Sequence, residues 1–295
     1  MRTFECPISD RESFIQKLIV REGLPIPDVY GQPDLMFTLA KVVKAEAREV
    51  FVFLPFDHVT EVAALGGRIH AGDELSGPRG KAGVYLSFGD LLQVEVPTTL
   101  GIKRMDNIVE LCERCTREGL PVFIEGSGPV NVLSGLMEWR NLVRCARKDT
   151  RGLLRAVRYI SGFLVDYYTN LSRAGVAVIG IDDSVGDADF LGEHRLKSYA
   201  RHILKPFLKS LGQALGERTL IHLCPKGTVA LIEAGCARLV PVGTDTTQKT
   251  YEQVVRDCVG RVACMGQYCY KDMKRLVSSR EVYSVVWNIG RTGKQ

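Results

Sequence analysis

The sequence predicts an α/β fold built as a single (β/α)8 barrel with an N-terminal helical extension. Three observations lead there. Short apolar runs rich in β-branched residues recur with amphipathic stretches between them, the pattern of repeated βα units around a parallel sheet. The 295 residues suit a barrel, whose typical size is ~250 residues. No Gly-x-Gly-x-x-Gly turn and no Walker sequence follows any strand, which ranks a doubly wound open sheet second.

Residues 1 to 45 read as helices broken at Pro25 and Pro27, and are expected to cap the bottom of the barrel. The clearest strands are 50 to 54 (VFVFL), 121 to 125 (PVFIE), 176 to 181 (VAVIGI) and 219 to 224 (TLIHLC). Then come 238 to 242 (RLVPV), 261 to 265 (RVACM) and 282 to 287 (VYSVVW), with 91 to 96 (LLQVEV) as the eighth. Helices are expected over 106 to 118, 133 to 147, 151 to 173, 192 to 215 and 248 to 258. Asp106 is a good N-cap and Gly119 a good stop for the first of these, and Pro206 should kink or divide the fourth. With no internal repeat and no low-complexity linker, residues 1 to 295 read as a single domain.

With 45% hydrophobic and 25% charged residues, the composition is that of a folded soluble protein. No apolar run approaches the ~18 residues of a membrane span, and Met1 to Asp10 lacks the apolar core of a secretory signal. A cytoplasmic protein is expected. Nine cysteines, an odd and scattered set, read as reduced thiols rather than a disulfide framework. The net charge of +5 is interspersed with acids, as in Arg11-Glu12, Arg21-Glu22 and Arg48-Glu49, so no nucleic-acid stripe is expected. It favours an anionic small molecule or an acidic partner surface.

Strand C-terminal ends are where a barrel keeps its chemistry, and four of them carry polar residues. Asp57 and His58 follow the first strand, where Asp57 either contributes to a ligand site or caps the next helix. Glu125, Gly126 and Gly128 follow the second clear strand; the glycines admit a ligand or make a tight turn, and the next helix offers N–H groups to an anion. Asp182 and Asp183 end the strand VIGI, and alternation lets only one face the axis while the other caps a helix. His222 and Cys224, two residues apart on a buried strand, point to one face and present an imidazole and a thiol for zinc or a thiol substrate. A third ligand would come from Cys264 or Cys269. Cys112 and Cys115 sit on a helix with no second ligand pair and read as packing, and Cys236 lies at the wrong end of the barrel.

Gly128-Pro129, Leu133-Ser134-Gly135-Leu136-Met137, the strand ending in Asp182-Asp183-Ser184, Leu204-Lys205-Pro206-Phe207 and His222-Leu223-Cys224 occur in an order that resembles the uroporphyrinogen decarboxylase superfamily. Within it the chain is most similar to the methylcobamide:coenzyme M methyltransferases and related corrinoid-dependent methyltransferases, from about Asp34 to Arg261. The resemblance implies a TIM barrel and a methyltransferase that moves a methyl group from a methylated corrinoid, carried by a separate corrinoid protein, to a zinc-activated thiol such as coenzyme M or homocysteine.

On that reading His222 and Cys224 bind zinc with Cys264 or Cys269, and Asp182, Asp183 and Glu125 stand near the transferring group. Asp57, His58, Gly126 and Gly128 face the corrinoid. Zinc would deprotonate the thiol, the form that attacks a methyl carbon. The chain departs from the resemblance in Pro225-Lys226-Gly227 after the His-x-Cys pair, and in having Trp287-Asn288 at its last strand where those enzymes place a third zinc ligand, a Cys; the site must then recruit Cys264 or Cys269, use an oxygen of Asp182 or Glu125, or have lost zinc. Two alternatives remain: a tetrapyrrole decarboxylase using Lys103, Arg104 and Lys226, and a non-catalytic corrinoid- or tetrapyrrole-binding barrel. The acceptor stays open, a folate-type compound included, and a homodimer is compatible with the chain.

Overall fold

A computed structural model describes residues 10–81, 83–95, 99, 101–183, 193–243, 246–277 and 282–287. Among these, strands in chain order are β1 (Val52–Leu54), β2 (Ile69–His70), β3 (Arg79–Gly80), β4 (Val122–Ser127), β5 (Val178–Asp182), β6 (Leu220–Leu223), β7 (Ala237–Pro241), β8 (Cys264–Met265) and β9 (Tyr283–Trp287). Seven form one sheet in the order β1-β4-β5-β6-β8-β9-β7, while β2 and β3 make a separate antiparallel ribbon. From β1 to β8 the ladders are parallel and the order only ascends, without the reversal of a doubly wound sheet. This is a distorted TIM-barrel-like α/β fold with a mixed sheet, β9 running antiparallel to both β8 and β7.

Period-two alternation sorts the parallel strands into two faces. Phe53, Phe123, Val178 and Leu220 stand in register on the inner face, and Glu125, Gly180, His222 and Met265 form the next row toward the strands' C-terminal ends. Leu54, Ile124, Ile179, Ile221 and Cys264 make a row on the outer face. The outer face packs on helices α5 (Lys103–Arg117), α6 (Pro129–Leu136) and α8 (Thr150–Arg173) and on the helix Lys205–Leu215. In α8 the buried stripe Val157, Ile160, Leu164, Tyr168 and Leu171 follows the three-to-four residue spacing of an amphipathic helix. The inner face packs against Tyr251, Val254, Val255 and Cys258 of the helix Tyr251–Cys258.

That helix also tends the edge of β1. Glu252 Oε1 accepts the N–H groups of Val50 and Phe51 at 2.8 and 3.0 Å, and Lys274 Nζ holds Glu252 Oε2 at 2.9 Å. The buried carboxylate thus takes hydrogen bonds that a neighbouring strand would otherwise make.

The N-terminal helices α1 (Arg11–Arg21) and α2 (Pro33–Ala47) pack through Ile15, Leu18, Ile19, Leu39 and Val43. Instead of capping the bottom, α1 lines a cavity beside Pro55–His58, beyond the C-terminal end of β1. Two further expectations are corrected. Residues 91 to 95 do not form a strand: α4 (Phe88–Leu92) occupies this stretch because Ser87 and Asp90 form a capping box, the signal that the alternation of LLQVEV obscured, and residue 96 lies outside the described residues. Strand 238 to 242 joins the sheet as the edge strand β7, antiparallel to β9, with Arg238 and Leu239 exposed; an edge tolerates Pro241, which has no N–H to give.

The stretch 133 to 147 divides into α6 and α7 (Trp139–Lys148), with Glu138 accepting the Asn141 N–H at 3.2 Å as cap. Near Pro206 the expected irregularity is a π-helical turn, Ala200–Leu204, which accommodates the missing N–H of the proline.

A Cβ at Gly180 would lie 2.7 Å from Phe123 Cε1 and 3.0 Å from Ile124 O, whereas at Gly212 in the helix Lys205–Leu215 the nearest atom is 3.9 Å away. Gly180→Ala is therefore expected to cost about 1–3 kcal/mol by overpacking. Gly212→Ala should gain about 0.5–1 kcal/mol from helix propensity. Urea midpoints of the two variants, moving in opposite directions, are the check.

Candidate functional site

A cavity of about 240 Å³ opens where β1 and β4 end, lined by Arg11, Phe53, Asp57, His58, Glu125 and Tyr270 among others. Three cations (Arg11, Arg79, Lys271) balance three carboxylates (Glu12, Asp57, Glu125) along its wall. Glu125 is 9% exposed and its Oε1 accepts no hydrogen bond among the described residues; Arg11 Nε stands 3.8 Å away. Its other oxygen is 3.9 Å from Nε2 of His58, whose side chain is 61% exposed at the rim. Arg11 reaches this point because its guanidinium lies over the Phe53 ring, 4.8 Å from the centroid, and pairs with Glu49.

Asp57 lines this wall while bonded within the chain. Its carboxylate accepts the Val59 N–H at 2.9 Å and the Thr60 hydroxyl at 3.3 Å at the start of α3 (Thr60–Ala64), and it pairs with Arg104. The capping alternative is the one seen. The glycines are likewise set by packing. A side chain at Gly126 would strike the Tyr168 hydroxyl at 2.6 Å, and one at Gly128 would strike Asp183 Cβ at 2.5 Å.

At the end of β5 the two carboxylates part as alternation requires. Asp182 pairs in register with Ser127 on the inner face. Asp183 is buried behind the sheet, where Oδ1 accepts the Asn131 N–H at 2.7 Å and Oδ2 accepts the Tyr199 hydroxyl at 2.6 Å. It caps α6 from across the chain. The Tyr270 phenol is pushed well up by burial first and then by the charges of Glu125, Asp182, Cys269 and Cys224.

His222 lies one row deeper, 1% exposed, between Phe123 and Tyr251 with ring centroids 5.5 and 5.7 Å away. Its Nε2 meets the Tyr251 hydroxyl at 3.1 Å, and Nδ1 has no hydrogen-bond partner among the described residues. Burial lowers its pKa to about 4, so the ring is neutral. Cys264 pairs with Ile221 and therefore lies on the outer face, opposite His222, where burial pushes its thiol well up. Cys224 lies beyond β6 as N-cap of the helix Pro225–Glu233, and Cys269 precedes the short turn Tyr270–Asp272. No group of three His, Cys, Asp or Glu side chains suited to a metal forms among the described residues. The expected zinc set does not fit: its imidazole is enclosed by aromatic rings and one of its thiols is on the wrong side of the sheet.

Sequence reasoning missed Arg11, Tyr270 and Tyr251, and also the buried Glu61. Burial raises the Glu61 carboxyl while it holds the Ser127 N–H at 3.3 Å and the Tyr168 hydroxyl at 3.0 Å. None lies at a strand end, so no local pattern marks them. Cys112 and Cys115 are buried on α5 as expected. Ser184 lies outside the described residues.

Burial raises the Asp183 pKa to about 7, against the hydrogen bonds of Tyr199 and Asn131. The folded form thus binds a proton that the unfolded chain, titrating near ~4, has released, and this contribution to stability is lost as pH rises from about 4 through 7. Asp183→Asn, which mimics the protonated carboxyl, should gain stability relative to the parent steadily over that window. Thermal melts of both proteins from pH 4 to 8 read the difference; a flat difference disproves the assignment.

The family described as Uroporphyrinogen decarboxylase (URO-D) matches residues 12–270. No curated protein matches the chain. Among solved structures, a methyltransferase from Methanosarcina mazei superposes with a TM-score of 0.64 at 23% identity, covering 79% of this chain and 70% of that one. At this identity the likeness speaks for the fold. With the family match running from the first helix to Tyr270, the chain belongs to the uroporphyrinogen decarboxylase family.

Proposed function

We propose that this protein is a methyltransferase of its family, moving a methyl group from a donor carried by a separate corrinoid protein to a small nucleophile bound in the cavity beside Glu125. The observation that carries the reading is the cavity wall: about 240 Å³, charge-balanced, with one buried carboxylate oxygen that accepts no hydrogen bond among the described residues. Such a wall suits a small acceptor with one acidic proton. A tetrapyrrole with many carboxylates needs an excess of cations, so the balance weighs against decarboxylation of that substrate. The likeness to a methyltransferase points the same way. No disulfide forms among the described cysteines, which suits a reducing compartment such as the cytoplasm.

Glu125 would act as general base. The acceptor sulfur takes the methyl carbon, both electrons of the bond to the donor stay with the donor, and the thiol proton passes to Glu125 Oε1. Arg11 and His58 flank the carboxylate and orient it. Tyr270 lines the same cavity. Alignment of the nucleophile with the methyl group dominates the rate of such a displacement. No step is assigned to zinc.

With free methylcobalamin as donor and coenzyme M, homocysteine or a folate as acceptor, the cobalamin spectrum should change only when the right acceptor is present. Glu125→Gln should slow this about 10²-fold, the scale of a lost general base. Decarboxylation of uroporphyrinogen by the purified protein, or a Glu125→Gln variant at full rate, would sink the proposal. Zinc content gives a separate check: protein purified without chelators is expected to hold less than one equivalent, unchanged by His222→Phe.

A further inference from the structure

The net charge of +5 resides in one short segment. Residues 138–158 hold seven of the 39 Arg and Lys residues and two of the 34 acids, leaving 32 cations and 32 anions in the rest of the chain. On α7, Arg140, Arg144 and Arg147 follow the i, i+4, i+7 spacing of one helix face, with Lys148 beside them. On α8, Arg151, Arg155 and Arg158 repeat the spacing. All seven are exposed, and none pairs with a carboxylate among the described residues. The two acids are occupied as caps, Glu138 on Asn141 N–H and Asp149 on Gly152 N–H.

An apolar strip runs beside the arginines. Trp139, 37% exposed, and the half-buried Val143 share with Arg140, Arg144, Arg147 and Lys148 a groove of about 460 Å³. An aromatic anchor framed by arginines is the composition of a protein–protein hot spot. Membrane insertion needs a broad free apolar face, but α7 turns Leu142 into the core and keeps only this narrow strip. A nucleic-acid backbone offers nothing to Val143, and the neutral remainder of the chain adds no phosphate track.

The face also stands in a useful place. The 24 residues of α8 span about 36 Å, against about 20 Å for the six of β4. Because the Tyr168 hydroxyl already reaches Ser127 O at the end of β4, at 2.7 Å, the first turns of α8 and the attached α7 project past the strand ends. They stand as a cationic spur on the side of the sheet where the cavity opens.

We propose that the α7–α8 spur docks an acidic protein partner through a helix that presents carboxylates at i, i+4 and i+7 beside an apolar stripe. Arginine forks pair with such carboxylates, and Trp139 with Val143 receives the stripe. Docking here is independent of the chemistry proposed for the cavity.

The probe is a synthetic three-heptad helical peptide with glutamates at that spacing and leucines alongside, titrated into the full chain at about 150 mM salt. Its glutamine counterpart, a short DNA duplex and phosphatidylglycerol vesicles serve as competitors. Peptide affinity should fall at least about tenfold in R140E/R144E/R147E, whose exposed sites leave the fold intact, and weaken as salt rises. Trp139→Ala should lower it several-fold while keeping the salt dependence. Tighter binding of the duplex, the vesicles or the glutamine peptide overturns the proposal, as does unchanged affinity in either variant.

Discussion

The constraint on which the rest depends is the shared register of β4, β5 and β6. Parallel pairing of Glu125 with Gly180 and of Gly180 with His222 commits every second residue of three strands to the same face. From that follow the apolar row of Phe123, Val178 and Leu220, the polar row above it, and the exit of Asp182 and Cys224 toward the open end. A slip of one residue would bring Ile124, Ile179 and Ile221 inside and leave Glu125 against the helices. Burial on both faces makes such a slip costly.

Within this frame, aromatic packing decides which polar groups stay reactive. Phe51, Phe53 and Phe123 form an edge-on cluster that continues through His222 and Tyr251 to Tyr268. Enclosure in that cluster keeps His222 neutral and bound to a phenol. Glu125 occupies the same row two strands across, but there the wall is interrupted by a cavity and by Arg11 from the first helix. One row thus holds a buried structural imidazole and, two strands away, a carboxylate that borders the cavity. The polar groups behind the sheet, Asp183 and Glu61, hold helix starts and strand ends in place; Gly128 leaves room for Asp183, and Gly126 for the Tyr168 hydroxyl that Glu61 holds.

Charge is organised on a larger scale than these pairs. The body of the molecule balances its cations and anions, its cavity included, while a two-helix spur carries the excess. A localised field of this kind steers an acidic surface to one side of the molecule without drawing anions into the cavity.

The sequence by itself determined the seven strands of the main sheet, most of the helices, the ascending order of its parallel part and the strand ends where polar residues gather, because period-two and helical apolar patterns are local properties; the expected strand 91 to 96 and the ribbon of β2 and β3 were not legible in it. It also determined that only one of Asp182 and Asp183 faces inward. The resemblance to the uroporphyrinogen decarboxylase superfamily was legible in the order of its motifs, and the match over residues 12–270 bears out that level of it. What only the tertiary structure decided is which residues meet. The edge placement of β7, the filling of the inner face by the helix Tyr251–Cys258 and the reach of Arg11 to Glu125 all join segments far apart in the chain. His222 and Cys224 are two residues apart, yet their surroundings come from β4 and from the segment 251–270, and those long-range contacts set one as core and the other as a mouth residue. Period and spacing specify a face; burial and charge at that face depend on partners that no local pattern encodes.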